Sequence, residues 1–284
     1  MNWIATASSA VVLVACGPRN DGATPQGQTA QAPAASSTHA AEAVSIKGSW
    51  RIVAFDGRSP AAASNGRAPG ITFAEQLYWG SAGCNQLGGL GLARDGRYYA
   101  KPGPQTVMAC AQPLLQQEAT LAEVLRASPS LTRSGPDRLT LSGAGHRLSL
   151  LREEHAGNGG PFDQPADLGG TRFVIQSIDG EYLTPRSRAD RRALTFGASR
   201  WTASLVCVTV AGTWRTVGSI ILAKLTETHA GRCGPEGRTT DAAVRALFAS
   251  DPSYALDPTG GLLIAGGGHW LVADRDTTSR DSVP

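Results

Sequence analysis

Gly83-Cys84-Asn85 and Thr106-Val107-Met108-Ala109-Cys110 carry two cysteines 26 residues apart, and Cys207 and Cys233 repeat that interval 123 residues farther along. The same displacement takes Asp56-Gly57 to Asp179-Gly180, Ile71-Thr72-Phe73 to Leu194-Thr195-Phe196, and Lys101 to Lys224. It takes Glu118 to Asp241, Ser128-Pro129-Ser130 to Asp251-Pro252-Ser253, and Gly143-Ala144-Gly145-His146 to Gly266-Gly267-Gly268-His269. One offset, with a slip expected only near Gly48 and Gly170, describes a tandem duplication of a unit of roughly 105 residues. The period is too long and the copies too few for a solenoid, and each copy has the size of an independent domain.

Within the first copy, Gly48-Ser49-Trp50-Arg51-Ile52-Val53-Ala54-Phe55 reads as a strand closed by the Asp56-Gly57 turn. Ile71-Thr72-Phe73 and Leu77-Tyr78-Trp79 are two more short strands, and residues 83–101 form a glycine-punctuated hairpin turning at Arg94-Asp95-Gly96. The clearest helix runs from about Pro113 to Ala127, with proline in its first turn and Leu114, Leu121 and Leu125 on one face. Leu139 and Leu141 alternate with Thr140 and Ser142, and Gly143-Ala144-Gly145 turns the chain into a closing strand from His146.

Hydrophobic content of 41% with 17% charge indicates folded material, and 34 glycines with 17 prolines favour turns and short strands. A net charge of +3 is too mild for a nucleic-acid partner, and no motif for one is present. The fifth cysteine, Cys16, ends the apolar run Ala10-Val11-Val12-Leu13-Val14-Ala15. Leu13-Val14-Ala15-Cys16 resembles a bacterial lipobox, which makes residues 1–16 a lipoprotein signal peptide and Cys16 the lipidated residue. The run departs from a standard signal in having no Lys or Arg before it. Residues 17–46, without an aromatic side chain, read as a flexible tether with a reach on the order of 30 Å. The domains are then 47–152 and 168–275, joined by a linker at 153–167 and followed by a polar tail at 276–284.

An exported chain keeps its cysteines as disulfides. A separation of 26 is not the spacing of a redox C-x-x-C, and no histidine stands at zinc-ligand spacing beside either pair. Structural disulfides Cys84–Cys110 and Cys207–Cys233 are therefore expected, each contributing on the order of 3.5 kcal/mol through chain entropy. Neither a metal nor a cofactor is expected.

The first copy resembles the META domain, also called HslJ-like. The resemblance rests on Gly48-Ser49-Trp50, Ile71-Thr72-Phe73, Gly83-Cys84-Asn85, Thr106 with Met108-Ala109-Cys110, Glu118, and the closing strand to Arg152. The second copy is a weaker match, with Val206-Cys207-Val208 and Gly231-Arg232-Cys233 at the two cysteine motifs. The resemblance implies an α+β fold: two tandem domains, each a bent antiparallel sheet or open barrel packed on one helix. It also implies an exported lipoprotein associated with envelope stress or drug resistance, with no established catalytic activity. The leading expectation is a non-enzymatic, lipid-anchored protein of the bacterial cell envelope, at the outer membrane and facing the periplasm. Its partners would be the membrane, through the anchor, and an envelope protein or apolar ligand.

Three residues are candidates for binding: Asn85, Met108 and Glu118. Asn85 either offers an amide to a ligand or fixes a turn through its own backbone. Glu118 lies on the apolar helix face and needs a partner there, as a structural acceptor or as a general acid. Asp241 reads either as its counterpart or as a helix-start residue. His146 and His269 read as strand-edge residues with no acid near them in sequence. A periplasmic hydrolase using Glu118 or His146 is the alternative function, and a structural adaptor in which the second copy pairs with the first is another. Arg186, Arg188, Arg191 and Arg192 form a basic loop that either is solvated or touches anionic lipid.

Overall fold

The computed structural model describes residues 45–63, 66–153, 167–183, 192–205, 208–231 and 234–277. Cys16, most of the expected tether and linker, the Cys207–Cys233 pair and Arg186, Arg188 and Arg191 lie outside the described residues, as does residue 278 onward.

The first barrel comprises β1 (Gly48–Phe55), β2 (Gly70–Phe73), β3 (Leu77–Ser81), β4 (Gln86–Arg94), β5 (Arg97–Pro102), α1 (Gln112–Arg126), β6 (Ser130–Arg133), β7 (Arg138–Gly143) and β8 (His146–Arg152). Its strands pair antiparallel in chain order, and β8 returns to β1 with Trp50 opposite Arg152, closing the sheet. The second unit comprises β9 (Thr171–Ile178), β10 (Glu181–Tyr182), β11 (Ala193–Phe196), β12 (Arg200–Ser204), β13 (Val208–Val217), β14 (Ile220–Ala230), α2 (Pro235–Ala249), β15 (Ser253–Leu256), β16 (Gly261–Gly266) and β17 (His269–Arg275). It closes through β9–β17, with the two-residue β10 as an appendage on β9. The expected architecture of two tandem antiparallel units, each with one helix, is what the chain adopts; the sheets close completely. Closure removes the free edges that would otherwise template further strand pairing.

Register shows how strict the repeat is. Trp50 faces Ile71 and Phe173 faces Leu194; Leu92 faces Tyr99 and Arg215 faces Leu222. Both members of each pair shift by 123, so no slip exists at Gly48. Even the left-handed backbone positions recur, Asp56 with Asp179 and Ser128 with Asp251.

Each barrel packs its inward side chains on its helix. In the first, Trp50, Ile52, Phe73, Leu139 and Leu148 meet Leu121, Val124 and Leu125 of α1. The Trp50 indole N–H donates to the Ile46 carbonyl (2.8 Å), and the Arg152 guanidinium lies 4.3 Å from the centre of its ring. In the second, Phe173, Phe196 and Trp201 meet Val244, Leu247 and Phe248 of α2, with the Trp201 and Phe248 rings stacked 4.0 Å apart.

A third apolar cluster joins the two barrels. It is built from outward residues: Leu90, Leu92 and Tyr99 of the first, and Ala255, Leu263 and Ala265 of the second, with Trp270 and Val272 packed against them. The rim is polar. Arg94 donates to the Ser253 hydroxyl (3.3 Å) and the Ser250 carbonyl (3.2 Å), and Lys101 pairs with Asp274 at 3.0 Å. Residues 40–284 accordingly form one compact unit.

Gly89 of β4 and its counterpart Gly212 of β13 lie close against the neighbouring strand, where a Cβ would overlap the carbonyl oxygen of Lys101 and of Lys224 respectively. The obstacle is backbone that belongs to the ladder itself, so it cannot swing aside. Gly89→Ala is expected to lower stability by about 2 kcal/mol, read as a lower denaturant midpoint with an unchanged slope. A midpoint equal to that of the parent protein would contradict the close approach.

Candidate functional site

Between β5 and α1 the chain runs as a strap, residues 103–111, without regular secondary structure. The disulfide Cys84–Cys110, with Cα atoms 6.4 Å apart, ties one end of this strap to the turn after β3. Pro113 at the start of α1 fixes φ where no intrahelical N–H partner exists, so the helix begins two residues beyond Cys110.

Asn85, only 8% exposed, is the hub that holds strap, turn and helix together. Both its backbone N–H and its side-chain amide donate to the Glu118 carboxylate, the latter at 2.8 Å. Its carbonyl oxygen accepts from the Met108 N–H (2.8 Å) and the Thr106 hydroxyl (3.2 Å). Thr106 in turn accepts from the Gln86 N–H at 2.9 Å. Next to Glu118 in the chain, Gln117 donates to the Ala82 carbonyl (2.9 Å) and accepts from the Ala61 N–H. Asn85 thus bonds a helix and a strap rather than its own turn, and Glu118 serves as the acceptor the buried amide requires.

With the polar groups of Asn85 and Glu118 turned on one another, the space beside them is mainly apolar. A groove of about 370 Å³ runs between strap and helix, lined by Leu87, Val107, Met108, Leu115, Ala119 and Ala122. Gln105, Thr106, Glu123 and Arg126 add polar groups to the same lining. Val107 is 90% and Met108 51% exposed, although both are large apolar side chains. Sequence alone nominated Asn85, Met108 and Glu118; the structure brings all three to this groove and adds Val107, Leu115 and Ala122. The helical spacing of Leu115, Ala119 and Ala122 was readable, but it lies off the leucine face that reports the core.

A second cluster was missed by local sequence reading. His146 Nδ1 lies 2.8 Å from Asp56 Oδ2, the other Asp56 oxygen accepts from the Arg147 N–H (2.7 Å), and His146 Nε2 is 3.6 Å from Glu123. The second barrel repeats the clamp: His269 Nδ1 to Asp179 at 2.7 Å, and the Trp270 N–H to Asp179 at 2.9 Å. Asp56-Gly57 and His146 both recurred at the common offset, and that joint recurrence was the available signal. The clamp fastens the turn after β1 to the β7–β8 hairpin, a structural task repeated in both barrels.

Neither Glu118 nor His146 has a serine, threonine or cysteine nucleophile in hydrogen-bond contact among the described residues; their partners are Asn85 and two carboxylates. Asp241 lies well inside α2 rather than at its start, and it pairs with Arg245 one turn on at 2.9 Å. The residues equivalent to Asn85 and Met108 are Val208 and Gly231, so the second barrel lacks the hub.

Residues 43–155, which include the first barrel with its strap, disulfide and groove, match the family model of the META domain. The match ends before the second barrel begins at Thr171. Two solved structures, both determined by NMR, are similar to parts of the chain. One is 26% identical over 37% of this chain and 88% of its own, with a TM-score of 0.32. The other, a protein from Burkholderia xenovorans, is 17% identical over 44% and 98%, with a TM-score of 0.31. No curated protein matches the chain.

Two outcomes follow from this geometry. Glu118→Gln leaves one acceptor for two Asn85 donors and turns an N–H₂ toward them, so it should cost about 2 kcal/mol and speed amide exchange at Met108. An unchanged exchange rate there would show that the strap does not depend on the hub. At the clamp, the Asp56 hydrogen bond raises the His146 pKa above 6.5, while the Arg147 N–H and then the His146 ring lower that of Asp56 below 3.8. The clamp's stabilisation is therefore full between those two values; it is lost as pH rises through the folded histidine value or falls through the folded aspartate value. An NMR titration should place His146 above 6.5, with Asp56→Asn returning it toward that value. A histidine that titrates identically in both proteins would refute the linkage.

Proposed function

We propose that this chain is a non-enzymatic lipoprotein of the bacterial envelope, anchored through lipid on Cys16, whose META domain binds an apolar chain in the strap–helix groove. The observation that carries this reading is the groove: a mainly apolar trough beside the mutually bonded Asn85 and Glu118, with Val107 and Met108 on a strap held by a disulfide and a hydrogen-bonded hub. Its volume of about 370 Å³ lies within the range of small-molecule sites. A site of this kind recognises length and apolarity, as an acyl chain or an extended apolar segment of an envelope protein would supply.

The lipobox-like Leu13-Val14-Ala15-Cys16 and a disulfide-stapled domain agree with an exported protein. Gly17 rather than aspartate after Cys16 favours the outer membrane, facing the periplasm. The second barrel is read as a diverged copy of the same domain without the binding hub. In the cell, binding of this kind would serve tolerance of envelope stress or of hydrophobic antibiotics.

Dodecylphosphocholine added as monomer to the isotope-labelled chain is a direct probe. Shift changes confined to Val107, Met108, Leu115 and Ala122, and reduced at least tenfold in apparent affinity by Ala122→Asp, are the expected result. Changes spread evenly over both barrels, or none, would overturn the groove as a binding site.

A further inference from the structure

The contact between the barrels uses different faces of the same fold. The first barrel contributes β4 and β5, whose structural counterparts in the second are β13 and β14. The second contributes β15, β16 and β17, whose counterparts in the first are β6, β7 and β8. The association is therefore head-to-tail. A head-to-tail contact between like units leaves one unused example of each face, and nothing in its symmetry stops further units from adding.

The unused faces differ in chemistry from the used ones. Where the first barrel buries Leu90 and Leu92, the second has Thr213 and Arg215, both exposed. Arg94 and Asp95, which bond across the rim to Ser253 and to the Gly267 N–H, are replaced there by Val217 and Gly218. Leu222, in place of Tyr99, keeps an apolar side chain and is half-buried. On the other side, the second barrel buries Ala255, Leu263 and Ala265, where the first carries Thr132, Thr140 and Ser142. Trp270 and Val272 correspond to Arg147 and Ser149. All these equivalent positions are separated by the common offset, and the strands that bear them share register.

We infer that the β4–β5 face is a socket specific for the β15–β17 face of a barrel of this same fold, and that each barrel has lost the complementary half. The pairing is one-way and ends at two. The partner of each apolar face is the other barrel of the same chain, and the polar residues on the two spare faces prevent a third barrel from docking. The second barrel, lacking the hub around Asn85, thus has the task of covering the socket.

Two half-restored proteins test this. One carries Thr213→Leu and Arg215→Leu, re-creating a socket on the second barrel. The other carries Thr140→Leu, Ser142→Ala and Ser149→Val, re-creating a plug on the first. By light scattering after gel filtration, the parent and each variant alone should be monomeric. An equimolar mixture of the two variants should give a species of twice the mass. Absence of that species from a mixture of folded variants, or self-association of the parent or of either variant alone, would overturn the proposal. A second measurement does not depend on those two variants folding. In the parent, cleavage at a protease site inserted within residues 153–167 should leave the two halves co-eluting, and Leu263→Arg should separate them. Halves that part without that substitution would show that the socket does not hold its plug.

Discussion

Closure of each sheet on itself is the constraint from which the rest of the architecture follows. Once β1 pairs with β8, and β9 with β17, every strand but the appended β10 has at least two hydrogen-bonded neighbours. What distinguishes one strand from another is then which faces its side chains find covered. Inward residues are covered in both barrels by a helix with a proline in its first turn. Outward residues are covered only where a neighbour supplies a surface, and in this chain that neighbour is the other barrel.

The strap and groove depend on closure in a more local way. The link from β5 to α1 leaves the ladder, keeping only the Gly103 and Thr106 N–H bonds to the Gly88 and Gln86 carbonyls. Asn85 takes the Met108 N–H and the Thr106 hydroxyl on one side-chain oxygen and uses Glu118 for its own amide. An amide and a carboxylate that saturate one another this way offer little polarity of their own to a ligand in the groove beside them. The apolar side chains Val107 and Met108 stay exposed because the strap that carries them is fixed by a disulfide and a buried asparagine, and cannot collapse onto the barrel to hide them.

Between the barrels, the energetic argument is that of any apolar core. A leucine buried fully is worth about 1.5–3 kcal/mol relative to its exposed state. Leu90, Leu92 and Leu263 are each almost wholly buried, yet point away from their own barrel's interior. Left uncovered, those side chains would form the kind of patch by which proteins associate. The two copies are therefore better regarded as one folded body than as independent domains on a linker, despite each having the size of a domain.

Much of this was written in the sequence. The offset between Cys84 and Cys207 gave the duplication; Pro113 with Leu114, Leu121 and Leu125 gave α1; and Leu139-Thr140-Leu141-Ser142 gave a strand with one wet face. The interface also left a trace. Its counterpart, Leu262-Leu263-Ile264-Ala265, is apolar throughout, the mark of a strand covered on both faces. Chain pattern can report such facts because side-chain periodicity and turn chemistry are local. Only the tertiary structure could join Asp56 to His146 across 90 residues, turn Asn85 from its own turn toward Glu118, and decide what covers Leu263. Those contacts arise from barrel closure and docking, and no local spacing encodes which distant groups closure will bring within hydrogen-bond reach.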